Sequence, residues 1–324
     1  MMNIGIIGAG RIGKVHCESI MCYVKNATVK TVADPFMNSD TEKWLKDMGV
    51  EKVTKDYRDI INDKDIDAVL ICSSTDTHAP ISIEAIKAGK HVFCEKSITV
   101  NASQLQECAA LAAEKNLVIC DGVTLFHMPL YKELKKRIAS GAIGQVKMVQ
   151  VNFGSCKEYD VNNRFFSKEL AGGALLDIGV YAVSFARYFM GSKANVVLTT
   201  ANYSETGVDE TSGILLKNPD GEMAVISLTM RAKQPKRGVI AGEKGYIEIN
   251  NYPRADKATI TYTEDGRTET IEIGSTAKAL QYEVEDMQDY VQNRTGQANF
   301  QYVCDVTDTL TAIRSQWGMV YPFE

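Results

Sequence analysis

The stretch Asn3-Ile4-Gly5-Ile6-Ile7-Gly8-Ala9-Gly10-Arg11-Ile12-Gly13 decides how this chain folds. An apolar run of strand length ends in glycines spaced G-x-G-x-x-G. A helix-compatible segment, roughly Arg11 to Met21, follows. A strand-turn-helix of this kind lays its backbone against a dinucleotide pyrophosphate. Gly8 permits the tight turn, Gly10 brings bare main chain close to phosphate, and Gly13 lets the helix press on the strand. Arg11 and Ile12 open the helix, whose N-terminus offers unpaired N–H groups and partial positive charge to an anion. Three glycines at this spacing also occur in unrelated turns, so the rest of the chain must supply what such a loop needs.

It does so along the next hundred residues. Val29 to Ala33 reads as a second strand that ends at Asp34-Pro35. Asp34 falls about twenty residues beyond Gly13, where a dinucleotide fold places the acid that binds the adenosine ribose. Asp-Pro is also an ordinary turn after a strand, but behind the glycine loop the ribose reading leads. A carboxylate there repels a 2′-phosphate and no Arg follows at once, so NAD is favoured over NADP. Ser39-Asp40-Thr41-Glu42 resembles a capping box, opening a helix that stops at Gly49. Ala68 to Cys72 is a continuous apolar run, as in a strand buried on both faces. It leads into the polar loop Ser73-Ser74-Thr75-Asp76-Thr77-His78 and a helix that ends at Gly89. His91 to Cys94 is another strand, running into Glu95-Lys96-Ser97. A helix with Asn101 as its N-cap follows, and Leu117 to Cys120 closes the series. Strand alternating with helix means a doubly wound parallel sheet with ligands at the C-terminal ends of its strands. Gly8–Gly13, Asp34, Ser73, Ser74, Thr75, His78, Glu95 and Lys96 all fall at such ends and form the expected cofactor site.

Near residue 122 the pattern changes. A helix from about Pro129 to Ser140 and a strand from Lys147 to Phe153 lead to Gly172-Gly173 and a strong helix, Ala174 to Met190. From Asn195 to about Ile273, short β-type runs alternate with turn signals, which predicts a largely antiparallel sheet. Helical patterns close the chain, at about Ala277 to Asn293 and Asp305 to Trp317. With 324 residues, two domains are expected: a nucleotide-binding domain over 1–121 and an α+β substrate domain over 122–324.

Composition narrows the function classes. The chain is 45% apolar and 24% charged, with a net charge of -5 and no long Lys/Arg run. That balance argues against a nucleic-acid partner. No apolar stretch approaches the roughly 18 to 20 residues that span a bilayer, so no membrane partner is expected. The first strand begins almost at once, leaving no room for a signal peptide. The eight cysteines are scattered without a C-x-x-C pair and read as reduced and structural, in a cytoplasmic protein. With four histidines and no H-E-x-x-H, no metal site is expected.

A nicotinamide enzyme that moves a hydride to or from carbon needs a proton donor or acceptor at the oxygen. Lys96, at a strand end after a Glu, is one candidate; a surface lysine is the bland alternative. Gly172-Gly173-Ala174-Leu175-Leu176-Asp177-Ile178-Gly179-Val180-Tyr181 offers another. On a helix Asp177 and Tyr181 share a face at i, i+4, while Leu175, Ile178, Ala182, Phe185 and Phe189 form an apolar stripe for the core. A nearby ammonium would favour the tyrosine's phenolate and make it a usable acid/base. Packing and a salt bridge weigh equally on spacing alone.

Gly8-Ala9-Gly10-Arg11-Ile12-Gly13, Cys94-Glu95-Lys96-Ser97 and Gly172 to Tyr181 together resemble, in order and spacing, the glucose-fructose oxidoreductase / inositol dehydrogenase / rhizopine-catabolism dehydrogenase family, over essentially the whole chain. The resemblance implies a Rossmann domain plus an α/β domain whose open sheet mediates dimers or tetramers. It implies that Lys96, matching the Lys of an E-K-P motif, orients or protonates substrate. Asp177 and Tyr181 match the family's Asp-x-x-x-His/Tyr segment, and the tyrosine is similar to the dihydrodiol dehydrogenase branch. Ser97 departs from the family's proline. His127 and Arg164 are the candidate substrate contacts, with a salt bridge the alternative for Arg164. The expected function is NAD-dependent oxidation or reduction of a sugar, polyol or diol by a homodimer or homotetramer. A dinucleotide-binding sensor without turnover is the alternative.

Overall fold

The computed structural model describes residues 1–324, apart from the side chains of Gln297 and Ala298. The chain forms two compact units, Met1–Gly122 with Leu280–Phe300, and Val123–Ala279 with Gln301–Glu324. The division departs from a single boundary at 121/122, because the segment Leu280–Phe300 returns to the first unit. The reason is apolar: Val284, Met287 and Tyr290 are buried in the same core cluster as Ile4, Ile6 and Leu70.

The first unit runs β1 (Met2–Ile7), α1 (Arg11–Tyr23), β2 (Ala27–Ala33), α2 (Ser39–Asp47), β3 (Lys52–Thr54), α3 (Arg58–Ile61), β4 (Ala68–Ile71), α4 (His78–Lys87), β5 (His91–Cys94), α5 (Ala102–Glu114) and β6 (Ile119–Asp121). Its six strands are parallel in the order β3-β2-β1-β4-β5-β6. That order reverses between β1 and β4, the switch point at which doubly wound sheets bind ligands. β4 is buried along its whole length, as its unbroken apolar run predicts. Asn101 caps α5 by accepting from the Gln104 N–H at 2.9 Å. The cap of α2 is Asn38, which accepts from Thr41 N–H at 2.9 Å, one residue before the expected Ser39. β3 and α3 carry no strong periodic signal and escape sequence reading.

The second unit contains α6 (Pro129–Ala139), β7 (Val146–Gly154), α7 (Val180–Phe189), β8 (Val196–Tyr203), β9 (Asp209–Lys217), β10 (Met223–Thr229), β11 (Arg237–Gly242), β12 (Gly245–Asn250), β13 (Lys257–Tyr262) and β14 (Thr268–Glu272). α8 (Ala279–Asn293) and α9 (Gln297–Trp317) complete the chain. Eight strands join in the order β14-β13-β12-β11-β7-β10-β9-β8. All pairs are antiparallel except β7 with β10. α7 packs on β7, with Ala182, Phe185 and Phe189 buried as the stripe predicts.

One expectation needs correcting. Lys168–Phe189 is long and apolar enough to cross a membrane by length and composition, although 78% of its most apolar window is buried inside the protein. Its apolar side chains serve the core of this unit. All eight cysteines are free thiols, and Cys17, Cys72, Cys94, Cys108 and Cys120 are buried, where a thiol packs as a small hydrophobe.

Candidate active site

In the first unit the glycine loop has the geometry its spacing implies. Gly8 has φ +103°, and a Cβ there would stand 2.7 Å from the Cys72 carbonyl. A Cβ on Gly13 would overlap the Gly8 carbonyl oxygen, whereas one on Gly10 would meet nothing within 4 Å. So two glycines serve packing, and the third faces open space where a phosphate can come against bare backbone. Gly10 is the N-cap of α1 and provides no side-chain cap. The first N–H groups of that helix are thereby left for an anion.

Asp34 sits beside this cradle. Its Oδ2 accepts from Ala9 N–H at 2.7 Å and its Oδ1 from Phe36 N–H at 2.8 Å. The carboxylate therefore holds the loop's backbone. A dinucleotide fits this donor set: exposed N–H groups at the turn and a fixed carboxylate at the end of β2.

Next to it, Ser73 Oγ and Thr77 Oγ1 are 2.7 Å apart, in the turn after β4 that includes Ser74 and Thr75. His78 is 1% exposed. Its Nδ1 lies 2.8 Å from the Ser97 carbonyl and its Nε2 3.1 Å from the Ser73 carbonyl. Burial holds it below the ordinary histidine value, against the pull of those two carbonyls. His78 thus ties the loop after β4 to the loop after β5.

That second loop carries Glu95, Lys96 and Ser97, with a cis peptide between Lys96 and Ser97. Glu95 is buried. It accepts from His16 Nε2 at 2.7 Å and from Lys96 N–H at 3.2 Å. Burial opposes its ionisation, but the His16 contact and the charge of Lys96 outweigh burial, and Glu95 lies below the usual carboxylate range. His16, on α1, and Glu283, on α8, were missed from sequence. His16, Glu95 and Glu283 have ligand-type atoms within 4.8 Å of one another. His16 Nε2 is engaged by Glu95, and His16 Nδ1 is buried without a hydrogen-bond partner among the described residues.

In the second unit, Leu175–Gly179 forms one π-helical turn before α7 begins at Val180. The expected uninterrupted α-helix is thus widened under Asp177, a distortion frequent at functional sites. Asp177 Oδ1 lies 3.6 Å from Arg164 Nη1, so two residues singled out separately are joined. The Tyr181 ring packs on Phe153 with centroids 6.2 Å apart. His127 is buried at the end of a short 3₁₀ turn, Thr124–Phe126.

Asp209, also missed, fixes the start of this helix. Its Oδ2 accepts from Leu175 N–H at 2.8 Å. Its Oδ1 has no hydrogen-bond partner among the described residues. Burial pushes the carboxyl up to about 7, against the Leu175 hydrogen bond and the charge of Arg314. Gly173, at φ +121°, must lack a side chain because a Cβ would overlap Asp209 Oδ1. The Tyr321 hydroxyl donates to the Gly172 carbonyl at 2.6 Å.

Residues 2–122 match the model of an oxidoreductase family with an NAD-binding Rossmann fold, and residues 131–248 match the Gfo/Idh/MocA C-terminal domain. The trans-1,2-dihydrobenzene-1,2-diol dehydrogenase of Xenopus tropicalis is 31% identical over 86% of this chain and 83% of its own. The chain belongs to the Gfo/Idh/MocA oxidoreductase family. It is an enzyme with an NAD(P)-binding Rossmann unit. A myo-inositol 2-dehydrogenase of Thermotoga maritima is 29% identical over 82% of this chain and 79% of its own. The fold matches a levoglucosan dehydrogenase, solved with NADH and levoglucosan, at a TM-score of 0.87 and 23% identity, covering 98% of this chain and 97% of that one.

Proposed function

We propose that this member of the family is an NAD-dependent dehydrogenase or reductase acting on a CH–OH group of a sugar, polyol or diol. The observation that carries the reading is the Asp177–Arg164 pair on the widened turn below Tyr181: a charged group held on the same helix as an ionisable hydroxyl. The relatives that oxidise inositol and dihydrobenzenediol support the substrate class.

Bound nicotinamide would exchange a hydride with the carbinol carbon. Tyr181 takes the hydroxyl proton in oxidation and returns it in reduction, so one proton moves with each hydride. Lys96 would favour the tyrosine's phenolate and hold the substrate oxygen. Asp177, fixed by Arg164, orients the reacting group, and His127 contributes to substrate binding. Asp34 favours NAD because a 2′-phosphate would face a carboxylate that already holds backbone N–H groups. We expect Tyr181→Phe and Lys96→Met each to lower turnover by about 10²-fold or more, with cofactor affinity kept. Full activity in either variant removes the assignment.

The second unit's sheet supports a homodimer or homotetramer. Its rows Leu198–Leu215–Val225 and Val196–Lys217–Met223–Met148–Ala241–Tyr246, apolar except for Lys217, follow from the strand registers. Leu198 is 57% exposed, and Val196, Val225 and Tyr246 are exposed too. An apolar patch of this kind marks an association surface. Leu198→Arg with Val225→Asp should shift the mass in solution toward monomer, as read by light scattering.

A further inference from the structure

We infer that the substrate carries an anionic group, a carboxylate or a phosphate, that seats among Lys157, Lys233, Lys236 and Arg254 beside Tyr181. This rests on the reading of Tyr181 as the reacting end of the site, and it narrows the substrate class.

The sheet itself gathers these cations. β7 ends at Gly154 opposite Thr229, the last residue of β10, and Asn152 pairs with Arg237, which in turn pairs with Asn250. The segments after β7, after β10, before β11 and after β12 therefore leave one end of the sheet, and each bears a basic residue. Main-chain bonds pin them: Lys157 N–H to the Met230 carbonyl at 2.8 Å, and Asn251 N–H to the Lys236 carbonyl at 2.7 Å.

Side chains carry the charges to the candidate site. Lys236 Nζ lies 4.7 Å from the centre of the Phe153 ring, which packs on Tyr181. Lys157 Nζ and Arg164 Cζ each lie 4.1 Å from the Phe165 ring centre, and Arg164 reaches Asp177. Partial burial, and then the charges of Lys233, Lys157 and Arg254, hold Lys236 below the ordinary lysine value. The influences on it besides burial are all cationic.

Glu210 pairs with Arg231, Asp177 with Arg164, and Asp256 accepts from Thr276 N–H. Like charges gathered at a site in a chain of net charge -5 raise the potential there and attract an anion. Lysines seated on aromatic faces bind it as point charges.

The test uses the full chain with both cofactors and matched pairs: glucose with glucuronate and with glucose 6-phosphate, and myo-inositol with its monophosphate. The expected result is a kcat/KM at least tenfold higher for one anionic member, carried by KM and falling with added salt. The carboxylate and phosphate arms tell which anion is preferred. Lys236→Met, and separately Lys233→Met, should shrink that preference several-fold, with melting curves verifying that each variant folds. Equal kcat/KM for neutral and anionic members, or a preference that neither variant changes, overturns the inference while leaving the oxidoreductase reading intact. No turnover of any member with either cofactor instead removes the substrate reading on which it rests.

Discussion

Two helices in this protein are entered through paired or spaced glycines, and they are finished in opposite ways. α1 follows Gly8 and Gly10 and has no side-chain cap. The turn before α7 follows Gly172 and Gly173, and its first free N–H, on Leu175, is held by the buried carboxylate of Asp209. In the first case the orphan N–H groups remain available, and the nearby acid, Asp34, holds Ala9 instead. In the second they are spent inside the protein, and what the helix presents is its side chains, Asp177 and Tyr181. An open helix start binds; a closed one is a platform.

The contrast can be tested hardest at Asp209. Its folded value of about 7, against an ordinary 3.8, means the native state holds a proton that the unfolded chain releases. Stability should therefore fall as pH rises from about 4 to about 7 and then level off, by as much as about 4 kcal/mol. Asp209→Asn should remove this part of the slope, visible as the difference between melting curves of the two proteins across that range. Parallel curves would mean that the carboxyl titrates normally.

The glycines of the first loop should separate cleanly. Gly13→Ala forces a Cβ into the Gly8 carbonyl and should cost about 3 kcal/mol of stability, measured by urea unfolding. Gly10→Ala places its methyl in open space, at a backbone φ of -67° that any residue adopts. It should melt like the parent yet bind NAD on the order of tenfold more weakly, by fluorescence titration. A Gly10→Ala protein with normal NAD affinity would break the link between the open cradle and phosphate. The smallest effect belongs to Asp34→Ala, which should gain NADP affinity relative to NAD. An unchanged ratio would leave Asp34 as a turn residue only.

The open helix was the legible one because its determinants are adjacent in sequence. Gly8, Gly10 and Gly13 define their own turn, and the strand-helix alternation that frames them is a local pattern. The closed helix is determined at a distance. Asp209 lies in β9, well beyond the helix it caps, and nothing around it marks it as a cap. The same holds for His16, whose partner Glu95 stands at the end of β5. Asp177 and Tyr181 were visible as i, i+4 neighbours, but the π turn over Leu175–Gly179 was not; there a Cβ on Gly179 would run into Leu228 of β10. Short elements such as β3 escaped because few buried residues leave little periodicity to read.

The return of Leu280–Phe300 to the first unit has a consequence for how this chain can be divided. A fragment ending at Gly122 would lack Val284, Met287 and Tyr290, leaving a groove of uncovered apolar surface along the nucleotide-binding core. The unit is thus continuous in space but not along the chain. Recombination, or a designer's graft, could transplant it intact only by carrying two separate segments, and the second unit is split in the same way, since Gln301–Glu324 follows Leu280–Phe300.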